Sequence, residues 1–399
     1  MSSGDANELV IDGPLLGSWP KVRSTRVDGA EVALTVVDHA GHLWTATGPP
    51  DSVGVAPSLA TAHVPLWARL RGPTGATFSV ANTHPVEVEM SLNGHPASLV
   101  ARVPVTSNQV VIETVMTDAF RGLLVRPSLA GPGVVLLGGS EGGVGGPLPV
   151  ALALADEGWW CLIVGYVGVK GTPSALSEVP LEPIVAGIGW LAGHDDVVGE
   201  RVAVWGASKG AEAALVAASL TELVSGVVSV SGSPVVFEGL DPTHRRSSWT
   251  FGGTALPFTR LKRVRSIVVF GRRHDEVSLR PIYGRGPRAA GRKGASTSHL
   301  ERLQVPVLMI CGVDDRFWPA DPMAERAKRR SSRIRTLSLD GTGHLITVPG
   351  LPPVSGVGSS PMLRTGGSLE IAPRSVSVAW DATKHFLSDT HSTSEHSRR

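Results

Sequence analysis

The sequence predicts an α/β protein, with a doubly wound, mostly parallel sheet preceded by an immunoglobulin-like β-sandwich domain. Three observations support this. Short β-branched runs recur through the first third. Continuous apolar runs alternate with helical ones after Gly131. The 399 residues are also too many for one ordinary domain and few for three, so two domains are expected.

Residues 1–128 contain EVALTVVD, HLWTAT, TFSVAN, VEVEMSLNG, SLVARVPV and QVVIETVM. These runs alternate or are β-branched, and turn residues separate them about every 8–12 positions, which is a sandwich rhythm. From Gly131 the pattern changes. GVVLLGGS is continuously apolar, as in a strand buried on both faces. PLPVALALADEG then reads as a helix, WWCLIVGYVG as a strand and EPIVAGIGWLAGH as a helix. RVAVWG, KGAEAALVAASLTE and GVVSVSG continue the alternation, and VPVLMICG and RIRTLSLDG are further strands. SVAWDATKHFLSD is the last helix. The expected division is therefore 1–128 for the sandwich and 129–390 for the α/β unit, with a lid-like insertion at about 233–298. The polar tail 391–399 is expected to be disordered.

The composition excludes several classes. Apolar residues make up 42% and charged residues 18%, with net charge +2, unlike a disordered chain or a nucleic-acid binder. The 47 Gly and 30 Pro follow no collagen period. Cys161 and Cys311 lie in apolar runs without metal-like spacing, so neither a disulfide scaffold nor a metal site is expected. MSSGDANELV lacks the basic and apolar regions of a signal peptide, and no window nears about 18 apolar residues. A cytoplasmic protein without a membrane span is expected. Positive charge concentrates between Arg260 and Lys293, either as a solvated surface or as a patch for a phosphorylated ligand.

The strongest local signal is Gly206-Ala207-Ser208-Lys209-Gly210. It follows a strand and opens a helix, the setting in which G-x-S-x-G presents a serine nucleophile on a sharp turn. A serine hydroxyl needs a base, and the base needs an orienting acid. The strand VPVLMICG leads into Asp314 and Asp315, of which Asp315 has the more usual spacing from Gly312 and Pro319. Asp314 would cap or orient the loop. His344, in GTGH beyond the next strand, completes the order Ser, Asp, His. An oxyanion site needs two backbone N–H donors. Lys209 would supply one. Glu141 or Gly142, in the GGSEGG loop after the first core strand, would supply the other. That loop lacks the GK[ST] and G-x-G-x-x-G patterns of nucleotide binders.

Taken together, VVLLGGSEGG, GASKGAEAAL, CGVDDRFWP and GTGH resemble the acyl-CoA thioesterase and bile acid-CoA:amino acid N-acyltransferase family. PLWARL, FRGLLVRPS, VSVSGSPVV and SSWTFGG extend the resemblance over most of the chain. It implies an α/β-hydrolase core with Ser208, Asp315 and His344 as the charge-relay triad, an acyl-CoA substrate and no cofactor. The conjugating enzymes of bile acids usually carry Cys at the nucleophile, whereas thioesterases carry Ser, so Ser208 leans toward hydrolysis. Arg272–Lys293 matches no motif of the family. Amide synthesis, carboxylic-ester hydrolysis of the dienelactone-hydrolase kind and a binding module with a dead site are the other readings weighed. The binding module would lack a triad member, and none is missing.

Overall fold

The computed structural model describes residues 9–18, 20–24, 32–48, 70–71, 79–92, 95–241, 243–262, 277–352, 356–357 and 360–396. The strands are β1 (Leu9–Asp12), β2 (Lys21–Ser24), β3 (Val32–Val37), β4 (Leu43–Gly48), β5 (Val86–Leu92), β6 (His95–Val103), β7 (Val111–Met116), β8 (Arg121–Arg126), β9 (Gly131–Leu137) and β10 (Trp160–Gly165). They continue with β11 (Val179–Pro180), β12 (Val197–Ala207), β13 (Val224–Val230), β14 (Trp249–Phe251), β15 (Thr254–Ala255), β16 (Val307–Gly312), β17 (Ile334–Leu339), β18 (Gly356–Val357) and β19 (Ser360–Arg364). The helices are α1 (Leu148–Asp156), α2 (Glu182–Ala192), α3 (Lys209–Ala217), α4 (Gly286–Gly291), α5 (His299–Arg302), α6 (Ala320–Lys328) and α7 (Ala372–His396).

An eight-stranded sheet of order β17-β16-β13-β12-β9-β10-β8-β7 organises the chain. Its first six strands are parallel, and β8 and β7 add an antiparallel edge. The continuous apolar runs explain its centre, because every residue of β10 and β16 is buried. Alternate residues serve opposite faces. Val134 and Leu136 pack with α1, Trp380 and Phe386. Val135 and Leu137 pack with residues of α2, α3 and α6. Each such fully buried side chain contributes about 1.5–3 kcal/mol.

The chain runs from β9 through α1 to β10 on one side, then crosses back through α2 to β12 on the other. The strand order therefore reverses at β9 and β12. Ligands of open α/β sheets sit in the crevice at the carboxyl ends of the strands beside such a reversal. The GGSEGG loop and Ser208 leave from those two ends.

Two expectations need correction. The expected boundary at 128 places β7 and β8 in the sandwich, but Val125 to Arg121 pair with Cys161 to Gly165 of β10, so the large sheet already starts at Val111. An antiparallel edge strand alternates like a sandwich strand, which hides the difference in sequence. The tail expected at 391–399 is helical through His396, because Leu387 and Thr390 are buried and His391 packs edge-on against Trp159. The described parts of the segment 233–298 are anchored to the core. Phe237 and Trp249 are fully buried, and β14 pairs with β11.

Among the described N-terminal residues, the strands form one four-stranded antiparallel sheet, β4-β3-β5-β6, and the β1-β2 pair. Most of PLWARL and the first two residues of TFSVAN lie outside the described residues, as does the part of the basic run from Arg263 to Glu276. No helix among the described residues is long and apolar enough to cross a membrane.

Glycine is required where α3 meets β9. A Cβ at Gly210 would overlap the Gly138 carbonyl oxygen, and one at Gly206 would stand 2.5 Å from the Gly210 carbonyl. Gly210→Ala is therefore expected to destabilise the protein by about 1–3 kcal/mol through overpacking. Urea unfolding should show a lower midpoint, and an unchanged midpoint would contradict the contact.

Candidate active site

Ser208 sits between β12 and α3 with φ 54° and ψ −117°. Positive φ is uncommon for a residue with a side chain and marks the sharp turn that lifts the hydroxyl above the sheet. His344 reaches it from the loop after β17, and Asp315 from the loop after β16. In the tautomer with the proton on Nδ1, His344 donates to Asp315 Oδ2 over 2.7 Å. Its Nε2 then accepts the Ser208 hydroxyl over 2.9 Å. These three residues stand in hydrogen-bonded series.

Asp315 is fully buried and His344 is 5% exposed. Asp315 Oδ1 accepts the N–H groups of Phe317 (2.7 Å) and Trp318 (3.2 Å), which leaves Oδ2 for the imidazole. The Asp315 and Val313 carbonyls each accept a hydrogen bond from Arg280. One member of the basic run thus braces the acid loop. Asp314, the other carboxylate considered, is exposed, and its N–H donates to the Thr342 carbonyl. Phe317 stacks on the His344 ring with centroids 4.6 Å apart, and Trp318 meets it edge-on.

Some supports were missed by the sequence reading. The His344 N–H donates to the Thr365 carbonyl over 2.7 Å. Gly366 bridges Asp315 and Gly367 bridges Thr342. The segment after β19 is thus wedged between the acid and histidine loops. Nothing local in SPMLRTGGS signals this, because both pairings are long-range. His299, in α5, is buried, and burial together with the Arg302 and Arg330 charges pushes its pKa down to about 3.

The oxyanion candidates separate on their hydrogen bonds. Lys209 opens α3, and its N–H has no acceptor among the described residues. Gly142 donates its N–H to the Gly139 carbonyl over 3.1 Å. The Glu141 N–H makes no backbone hydrogen bond among the described residues. The Glu141 carboxylate accepts the Gly139 N–H over 2.7 Å and tightens the loop.

The Lys209 side chain turns away from the site. It is 2% exposed and pairs with the fully buried Glu212 over 3.0 Å. Burial pushes the Lys209 pKa down and the Glu212 pKa up, each opposed by the charge of the other.

A cavity of about 710 Å³ opens on Ser208 and His344. Its lining includes Leu148, Ile346, Leu351, Leu369 and Val376, together with Ser79, Val80 and Ala81 from the N-terminal part. Asp38 holds that last segment, accepting the Ser79 N–H over 3.0 Å. Arg260, Lys262, Arg285, Arg288, Arg292 and Lys293, the rest of the described basic run, do not line the cavity.

A sheet of this order with a serine on the turn after β12 defines an α/β-hydrolase fold. Residues 179–392 match the family described as BAAT / Acyl-CoA thioester hydrolase C terminal, and the chain belongs to that family. It is similar to the mouse (Mus musculus) peroxisomal succinyl-coenzyme A thioesterase, with 26% identity over 63% of this chain and 56% of the relative. Human (Homo sapiens) acyl-coenzyme A thioesterase 1 is 27% identical over 67% of this chain and 64% of the relative. Mouse acyl-coenzyme A amino acid N-acyltransferase 1 is 26% identical over 60% and 55% respectively. The chain thus spans less than two thirds of the length of each of these relatives. Among solved structures, the Pyrococcus horikoshii acylaminoacyl peptidase superposes with a TM-score of 0.44 at 12% identity, over 93% of this chain and 59% of that one.

The geometry separates the two aspartates. If Asp315 orients His344, Asp315→Asn should slow fluorophosphonate labelling of Ser208 by about 10³–10⁴-fold. Asp314→Asn should leave the labelling rate within about threefold of wild type, and the reverse pattern would reassign the acid.

Proposed function

We propose that this protein is a serine-dependent acyl-CoA thioesterase that converts a fatty or related acyl-CoA to the free acid and CoA. The observation that carries the reading is the series Asp315–His344–Ser208, with hydrogen bonds of 2.7 and 2.9 Å, at the mouth of a largely apolar cavity. Family membership supplies the substrate class.

In this reading, His344 takes the Ser208 proton as Oγ attacks the thioester carbonyl. Asp315 stabilises the imidazolium that forms. The oxyanion accepts hydrogen bonds from the N–H of Lys209, at the positive end of α3, and from the Glu141 side of the GGSEGG loop. Collapse of the intermediate breaks the C–S bond, and His344 delivers the proton to the departing thiolate. Water then attacks the acyl-serine, His344 again acts as base, and the acid leaves. The catalytic unit begins near Val111. The N-terminal β part serves it by closing one wall of the acyl cavity through Ser79, Val80 and Ala81.

A second reading is transfer of the acyl group to an amino acid amine. The similarity to an amino acid N-acyltransferase supports it. The serine at position 208 supports hydrolysis.

A panel of acyl-CoAs assayed by CoA release, with and without glycine or taurine, tests both. Hydrolysis is expected, with free acid as product whatever amine is present. Diversion of product into an amide would establish the second reading. Ser208→Ala should lower turnover by at least about 10³-fold with the thermal midpoint nearly unchanged. Simple p-nitrophenyl esters hydrolysed with kcat/KM equal to or above that of every acyl-CoA would move the assignment to carboxylic esters.

A further inference from the structure

We infer that Glu212 is a positioning residue that holds both sides of the oxyanion site in register. The inference rests on the serine reading above and extends it to a residue that does not line the cavity and whose side chain lies outside the triad, although its backbone N–H donates to the Ser208 carbonyl over 3.4 Å.

Glu212 lies one turn into α3, three residues after Lys209, and is fully buried. Both of its oxygens meet Lys209 Nζ, at 3.1 and 3.0 Å. Lys209 Nζ also donates to Ser248 Oγ over 2.7 Å, and the Ser248 hydroxyl donates to the Phe237 carbonyl over 2.9 Å. The residue that supplies one oxyanion N–H is therefore tied down through its own side chain.

The same carboxylate reaches the other side. Glu212 Oε1 accepts the N–H of Phe237 over 3.1 Å and the indole N–H of Trp249 over 2.9 Å. The Trp249 ring packs edge-on against Tyr166, with centroids 5.6 Å apart. The Tyr166 hydroxyl donates to the Gly138 carbonyl over 2.7 Å, with the Gly139 carbonyl beside it. Gly138 and Gly139 open the loop that carries the second donor. Glu212 thus connects to Lys209 directly and to the loop through Trp249 and Tyr166.

Stability alone does not account for this arrangement. Burying two charges costs free energy that their attraction offsets only in part, and apolar replacements of similar volume are often as stable or more so. Transition-state stabilisation, by contrast, requires donors fixed at the developing oxyanion, where a displacement of about 1 Å can cost roughly 100-fold in rate.

The test compares Glu212→Gln with the double variant Lys209→Met/Glu212→Gln, which removes both buried charges and keeps the packing. Each is assayed with the best acyl-CoA of the panel. Each is also titrated with two inhibitors: a trifluoromethyl ketone of the same chain, which forms an oxyanion on Ser208, and the matched thioether, which cannot. We expect kcat to fall about 10- to 100-fold, with KM within about threefold. Ketone affinity should fall in parallel while thioether affinity holds. A double variant with a wild-type thermal midpoint and unchanged kcat and ketone affinity would overturn the inference. Ser208→Ala separates the two levels. Turnover surviving in that variant would overturn the serine reading itself, whereas an inactive Ser208→Ala beside wild-type-like Glu212 variants would overturn only the role of Glu212.

Discussion

The Gly210 backbone lies against the Gly138 carbonyl so closely that a methyl group has no room between them. That contact joins the first turn of α3 to the loop leaving β9, the two places from which an oxyanion can be reached. Much of the site follows from it. Ser208 takes its positive φ because the chain must turn from β12 into a helix pressed against the neighbouring strand end. The Gly138 carbonyl, held from the other side by Tyr166, sets the height of the loop. His344 and Asp315 approach from β17 and β16, with a further glycine contact, Gly312 against Gly343, closing the distance between their loops.

The polar groups under the elbow follow a consistent physical rule. Buried charge is tolerated only with a partner and with its remaining hydrogen-bonding capacity filled. Lys209 and Glu212 meet that condition through Ser248, Phe237 and Trp249, all of which come from the segment after β13. The insertion is thereby part of the foundation of the site, since its aromatic residues fill the space above α3. The acid loop is built the same way, with Asp315 satisfied by two backbone amides and its carbonyl by Arg280.

What could be read from the residues depended on how local the signal was. The elbow was legible because a strand, five motif residues and a helix are contiguous. The meeting of Asp315 and His344 could be anticipated because each follows a core strand and they come after Ser208 in the order Ser, Asp, His. β7 and β8 were misgrouped because alternation does not say which sheet a strand joins. Glu212 was invisible as a site residue. Three positions from a lysine on a helix, it reads like an ordinary surface pair, and only the long-range partners Ser248 and Trp249 bury it. The wedge at Thr365 to Gly367 and the brace at Arg280 share that cause.

In the proposed mechanism the acyl group passes through Ser208. Mixing the enzyme with a stoichiometric acyl-CoA, quenching in acid on the millisecond scale and mapping the peptides by mass spectrometry tests it most directly. An acyl mass is expected on the peptide containing Ser208, formed with a burst of CoA and lost at the steady-state rate. CoA release at full rate with the acyl group on another residue, or with unmodified Ser208 throughout, would contradict it.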